Sequence, residues 1–521
     1  MPLNGILNNN NILINTSLNN GFNNIYTYSN KLLNKLLKNS RNGEIICFCN
    51  AKIFKNGEFL DKQVGWGITN LFIIRINSKL KFSLSRVNWV KVKNVIKKGS
   101  FCLGTIYVIG VFDSEIISHQ LFICNGKVIE TTEKPDIFVD CEGLILAPGF
   151  IDIQLNGAFG IDFTQICTEN YEENEKENIQ KMEIVKNKLL KYGVTSFCPT
   201  IITSQQKVYF NCLKLIEKMK TLNNERLSAQ IIGAHFEGPF INPKRAGCHP
   251  TEYIIPINNN LEIDLFYSLN SPSKLIYNLS IVTLAPELEN SEKAIKILNN
   301  KNIRVCIGHS NADMEIGENA LNAGATGITH LFCAMAGFHH RKPGIIDLLL
   351  STTKTTKQKS KQIYYGIIAD GVHISETSIQ LAFCLNPNGA MLVTDGISAL
   401  GLNEGKHLLG NKIIKVEGRK ATVDGTDILA GSVASMIDCI KLFSSCIEKR
   451  HENRGVASAL KAATFTPANF LGIQQQKGTL IAGSDADFVL IDERRMEIIA
   501  TFIGGIKCFD SANLFNGELI E

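Results

Sequence analysis

Residues 147–157 read APGFIDIQLNG, the end of an apolar run that begins at Leu144 and closes on Asp152, Gln154 and Asn156 before Gly157. It is the first of eight such runs. The others are VTSFCPT from Val194, QIIGAHFEGP from Gln230, SIVTLAPE from Ser280, IRVCIGHS from Ile303, ATGITHLFCA from Ala325, YYGIIADGVH from Tyr364 and GAMLVTDGIS from Gly389. Each ends in polar or glycine-rich residues and is followed by a longer segment with helical spacing, such as NIQKMEIVKNKLLKYG or SEKAIKILNNKN. Eight β–α units over about 250 residues predict an α/β fold, a (β/α)8 TIM-like barrel with its chemistry at the C-terminal strand ends. A doubly wound sheet is the alternative, but it does not normally supply eight such repeats.

The flanks have a different pattern. IICFCNAKIFKNGEFL reads as a strand, a turn at Lys55-Asn56-Gly57 and a return, and HQLFICNGKVIE turns at Asn125-Gly126. At the other end, KGTLIAGSDADFVLID and EIIATFIGGIKCFD return to strand patterning with Gly-Ser and Gly-Gly turns. The expected organisation is a disordered Asn-rich tail over 1–44 and a small β-sandwich built from 45–147 and 471–521. The barrel occupies 148–470. Within the sandwich, 64–118 fits neither neighbour and reads as an atypical insertion or as wrongly translated gene sequence.

Of the 521 residues 45% are hydrophobic and 20% charged, as in a soluble globular protein, and the net charge of +5 gives no footprint for nucleic acid. No run reaches the ~18 apolar residues of a membrane span. Fifteen cysteines without CxxC pairs predict free thiols in a reducing compartment. A cytoplasmic enzyme with a tail is the expectation. Residues 1–43 lack Asp and Glu, but an organelle transit peptide would be richer in Arg and Ser.

Glu237, His309 and His330 all fall at predicted strand ends. One carboxylate and two imidazoles converging on a barrel mouth make a three-ligand site with an open position for water. A single strand-end histidine is more often a hydrogen-bonded core residue, but two on adjacent predicted strands favour ligands. Asp395 reads either as the group that takes a proton from water or as a helix N-cap. His249, in a Pro- and Gly-punctuated loop, suits hydrogen bonding to a developing oxyanion. Arg341 lies in GFHHRKPG, suited to a phosphate; His339 and His340 there are a second metal site or a solvated basic loop.

Together PGFIDIQLNG, HFEGPFINPKRAGCHP, GHSNA, THLFCAM, ADGVH, TDGIS and LAGS resemble the N-acetylglucosamine-6-phosphate deacetylase branch of the amidohydrolase superfamily. The resemblance implies hydrolysis of N-acetyl-D-glucosamine 6-phosphate to D-glucosamine 6-phosphate and acetate. It makes Glu237, His309 and His330 ligands of one divalent ion, Zn2+, and Asp395 the acid/base. It places Cys248 and His249 at the acetamido group. Cys333, Ala334, Arg341, Asp370, Gly371, Val372, His373, Leu429, Ala430 and Gly431 would meet the sugar and phosphate. In this family the arginine matching Arg341 reaches the partner's ligand, which implies a homodimer. Many superfamily members have two first-strand histidines where Gln154 and Asn156 stand; one-metal members have these amides. Cys333 replaces a usual Asn. Two other readings stay open: a ring-opening cyclic-amide amidohydrolase, which normally needs those histidines and a modified lysine, and a binding or regulatory protein that kept the barrel without catalysis.

Overall fold

The computed structural model describes residues 144–511 apart from 169, 223–226, 258–265, 268–273, 352–361 and 410–411. Before them it describes 116–130, 137–139, 141 and backbone segments within 6–109. Within the Asn-rich tail the described backbone is limited to strands at Ile6–Asn8, Asn11–Ile14 and Tyr26–Ser29. The disorder expected for the rest of that tail falls outside the described residues.

The run that opens the barrel divides at Gly149. Leu144–Pro148 pairs antiparallel with Phe488–Asp492 and parallel with Phe101–Ile109, whereas Phe150–Leu155 (β1) pairs with Val194–Ile202 (β2). A Cβ at position 149 would lie 2.0 Å from Thr195 Oγ1, so only glycine lets the two strands part so closely. The sequence shows one apolar run because both halves are buried.

The barrel continues through Ala234–Glu237 (β3), Leu279–Leu284 (β4), Arg304–Ile307 (β5), Gly327–Ile328 (β6), Tyr364–Ile367 (β7) and Ala390–Leu392 (β8). These pair in chain order and all in parallel. Helices cover the outer face, among them Tyr171–Leu189 (α1), Gln206–Leu222 (α2), Ser291–Asn300 (α3), Met314–Ala323 (α4), Glu376–Leu385 (α5) and Met436–Glu448 (α6). With side chains packed on both faces, the strands are almost continuously buried and apolar. The ring closes just beyond β8: Asp395 N–H donates to the Gln154 carbonyl at 2.9 Å, and Asn156 N–H to the Gly396 carbonyl at 2.7 Å.

Strands from both chain ends share a second sheet. Its order is Ile506–Asp510, Glu497–Ile503, Phe488–Asp492, Leu144–Pro148, Phe101–Ile109, Ile116–Cys124 and Lys127–Ile129, with Ile137–Val139 also on Phe101–Ile109. Asn125 and Gly126 adopt φ of 50° and 74°, the two left-handed positions a tight hairpin requires. Phe101–Ile109 lies inside the stretch read as an atypical insertion, 64–118, and pairs on both sides. Its FCLGTIYVI sequence is rich in β-formers, which the preceding Lys-rich segment obscures. Residues 60–100 lie outside the described residues.

A three-stranded sheet not anticipated from the sequence, Gly405–Leu409, Lys412–Glu417 and Lys420–Val423, follows β8. It touches the loop after β3, where Lys412 Nζ donates to the Cys248 carbonyl at 2.9 Å.

Candidate active site

The C-terminal strand ends bring Glu237, His309 and His330 together. Glu237 is the last residue of β3, and the two histidines stand two residues beyond β5 and β6. His309 Nε2 and His330 Nε2 lie 3.1 and 2.8 Å from Glu237 Oε1 and 3.1 Å from each other. All three side chains are buried. Among the described residues this is the group of His, Cys, Asp or Glu whose ligand atoms converge within 4.8 Å.

These distances fit a divalent cation. Bonds of about 2.0–2.1 Å to a tetrahedral zinc put neighbouring ligand atoms about 3.3 Å apart, so a small outward relaxation would admit one. His309 Nδ1 lies 2.7 Å from the Arg245 carbonyl, which can only accept; Nδ1 therefore carries a proton, and Nε2 is the nitrogen turned to the cluster. Without a cation, a proton partly substitutes. Burial opposes charge on His330, but its hydrogen bond to Glu237 wins and lifts it to about 9. Burial likewise works against the Glu237 carboxylate, yet the two histidines hold it well below the usual range.

His249 is buried beside this cluster, its ring centroid 4.4 Å from that of His309. Thr203 N–H donates to its Nδ1 at 3.3 Å, and Thr203 Oγ1 lies 2.9 Å from the same atom. A backbone N–H can only donate, so Nδ1 is the acceptor and Nε2 carries the proton, 4.0 Å from Glu237 Oε2. Burial, then His309, pushes this imidazole down to about 3, keeping it neutral.

Asp395 has φ 48° and no helix follows it, so the N-cap alternative is set aside. Its Oδ1 accepts from Asn156 Nδ2 at 2.8 Å and Gln154 Nε2 at 3.3 Å; the same Gln154 nitrogen donates to Glu237 Oε1 at 3.1 Å. The first-strand amides thus tie the two carboxylates together. Burial and the charge of Glu237 raise Asp395 to about 6, against His330, His373 and Asn156.

The other sequence-predicted residues surround this centre unevenly. Asp370 accepts from Val372 N–H, His373 N–H and His373 Nδ1 at 2.8, 2.9 and 2.7 Å. Burial opposes its ionisation, but His373 keeps it below the usual carboxylate range. Gly371 supplies a φ of 80° in that turn. Cys333 N–H donates to the His330 carbonyl at 2.9 Å, and the Ala334 carbonyl accepts from Ser310 N–H at 3.1 Å. Burial pushes both the Cys333 and Cys248 thiols up to about 12, so they stand neutral. Leu429, Ala430 and Gly431 run past Asp395: Ser432 N–H donates to its carbonyl at 3.1 Å, and a Cβ on Gly431 would lie 3.1 Å from that oxygen. Arg341 is exposed on the loop after β6. His339 and His340 lie with ring centroids 4.4 Å apart and tilted, with no third ligand converging on them among the described residues.

Several supporting groups escaped the sequence reading. Thr203 and the Arg245 carbonyl set the histidine tautomers from distant loops, and no local pattern marks them. Asp152 and Thr394 were in plain view in PGFID and VTDG; buried polarity in an apolar run was the available signal.

A barrel closed over a buried Glu/His/His cluster, with a carboxylate at the last strand, defines a hydrolase class. The amidohydrolase family model matches residues 145–508, and the chain belongs to that family. Within it, the chain is 41% identical over 397 residues to the N-acetylglucosamine-6-phosphate deacetylase of Caenorhabditis elegans, covering 75% of this chain and 90% of the relative. The Rattus norvegicus N-acetylglucosamine-6-phosphate deacetylase is 42% identical over 397 residues, covering 75% and 91%. The crystal structure of N-acetylglucosamine-6-phosphate deacetylase from Pasteurella multocida matches with a TM-score of 0.66 at 25% identity, over 78% of this chain and 99% of that one. Among the described residues no helix is long and apolar enough to cross a membrane.

Proposed function

We propose that this chain hydrolyses the acetamido group of N-acetyl-D-glucosamine 6-phosphate, releasing acetate and D-glucosamine 6-phosphate, in amino-sugar catabolism. The observation that carries this reading is the meeting of Glu237, His309 and His330 with Asp395 and the Nε2–H of His249 at one barrel mouth. Glu237, His309 and His330 hold one divalent ion per subunit, with Zn2+ favoured by the N/O donor set. When bound, the ion supplies Lewis acidity, lowering the pKa of water and polarising the acetamido carbonyl.

Asp395 receives the proton of the attacking water and returns it to the departing nitrogen. Its raised pKa suits both transfers. His249, neutral and protonated on Nε2, donates a hydrogen bond to the carbonyl oxygen as negative charge develops there. Gln154 and Asn156 hold the Asp395 carboxylate against the cluster. Cys248 lines the acetamido end. Cys333, Ala334, Asp370, Gly371, Val372, His373, Leu429, Ala430 and Gly431 line the sugar and phosphate. Arg341, exposed beside Phe338, reaches the phosphate in the second subunit of a homodimer. The barrel of 148–470 carries the chemistry, and the sheet shared by strands from both chain ends forms the β-domain beside it. The free thiols among the described cysteines agree with a cytoplasmic location.

The test is direct: incubate the purified chain with N-acetyl-D-glucosamine 6-phosphate, follow acetate release, and measure bound metal. No stoichiometric metal and no acetate would sink the reading in favour of a barrel that binds without catalysis.

A further inference from the structure

The turn that carries Asp395 is tied to a buried carboxylate on the first strand. Asp152 has 0% exposure and accepts three hydrogen bonds: from Thr394 Oγ1 at 2.5 Å, Thr394 N–H at 3.3 Å and Gln154 N–H at 3.3 Å. Thr394 Oγ1 in turn accepts from Gly396 N–H at 3.1 Å. The residues on either side of Asp395 are thus fastened to one hydroxyl, and that hydroxyl to Asp152. Asp395 N–H is held by the Gln154 carbonyl and its own carbonyl by Ser432 N–H.

This bracing answers a local difficulty. Asp395 sits at φ 48°, a left-handed conformation that is unfavourable for a non-glycine residue and persists only where the surroundings over-determine it. Burying Asp152 is itself unfavourable, and its carboxyl is pushed up to about 7 by desolvation despite the Thr394 donors. An apolar side chain would close the barrel wall at less cost. What a carboxylate adds here is direction: two acceptor oxygens that orient Thr394 and Gln154, the neighbour and the hydrogen-bond partner of Asp395.

We propose that Asp152, acting through Thr394, is a positioning residue for the hydrolysis, holding the Asp395 carboxylate in register with the Glu237, His309 and His330 cluster. The inference rests on the deacetylase reading above. A misplacement of about 1 Å at such a group costs up to about a hundredfold in rate. Thr394→Val and Asp152→Asn should therefore lower kcat about ten- to a hundredfold while KM stays within about threefold and metal content per chain is unchanged. Thr394→Ser, which restores the hydroxyl, should return kcat to within about threefold of the parent, and the acidic limb of the rate profile should move in Thr394→Val but not in Thr394→Ser. Should the valine variant not fold, Thr394→Ala against Thr394→Ser makes the same comparison. Parental kcat in Thr394→Val, equal impairment of the serine and valine variants, or losses that follow the folded fraction would each overturn the proposal while leaving the deacetylase reading intact. An inactive parent chain would remove both.

Discussion

In the proposed mechanism Asp395 concentrates the chemistry of the site in one carboxyl group. Replacing it with Asn keeps the shape and removes the proton acceptor. The Glu237, His309 and His330 ligand atoms are untouched, so Asp395→Asn should retain metal and lose turnover by at least about a hundredfold; an active variant would take Asp395 out of the mechanism. The pH dependence follows from the same residue. Burial and Glu237 raise its pKa to about 6, and a cation at the cluster would pull it down by favouring the charged form. Because the carboxylate is the working form, kcat/KM should rise with pH along an acid limb centred at or below about 6. That limb should be absent from whatever residual activity Asp395→Asn retains. His249 adds no limb near neutrality, since it is held neutral down to about 3.

At the scale of elements, strand ends do the positioning and tight backbone turns make them precise. Gly238, directly after β3, has φ 99°, and a Cβ there would stand 2.2 Å from Thr203 Oγ1, the atom beside His249 Nδ1. Gly238→Ala should thus cost about 1–3 kcal/mol in a denaturant midpoint and also lower kcat by displacing Thr203 and with it His249; an undisturbed kcat would separate Thr203 from the site. This coupling explains what the sequence could and could not disclose. The eight apolar runs and the residues at their ends were legible because burial on both faces makes each strand a continuous apolar run, and the functional residues stand where it stops. The division at Gly149 was not, since both halves are buried and a steric contact with Thr195 leaves no periodic trace. The tautomer of His309 depends on a carbonyl 64 residues earlier in the chain, beyond any local pattern. The sheet over 405–423 leaves a trace, since KHLL, KIIKVE and KATV alternate, but its strands are short and lie outside the barrel's β–α units.

For the whole molecule the decisive quantity is the number of cations bound and the protons they displace. Gln154 and Asn156 stand where a second site would need imidazoles, and neutral amides are weak zinc ligands beside imidazole, so the first strand is not expected to hold a second ion. One ion per chain is the expected stoichiometry. Loading it requires a bare Nε2 on His330, yet in the metal-free chain Glu237 overcomes burial and keeps that imidazole protonated up to about pH 9. Glu237 is already ionised, so the proton His330 holds against it must leave. Between pH 7 and 8, binding should release close to one proton per ion. Affinity should climb about tenfold per pH unit and flatten above about 9, where no proton remains to be displaced. Calorimetric titration of the chelator-stripped chain, in two buffers of different ionisation enthalpy, reads the ion count and the proton count together. Two ions per chain would overturn the one-metal assignment, and binding without proton release would show that His330 is neutral before the metal arrives.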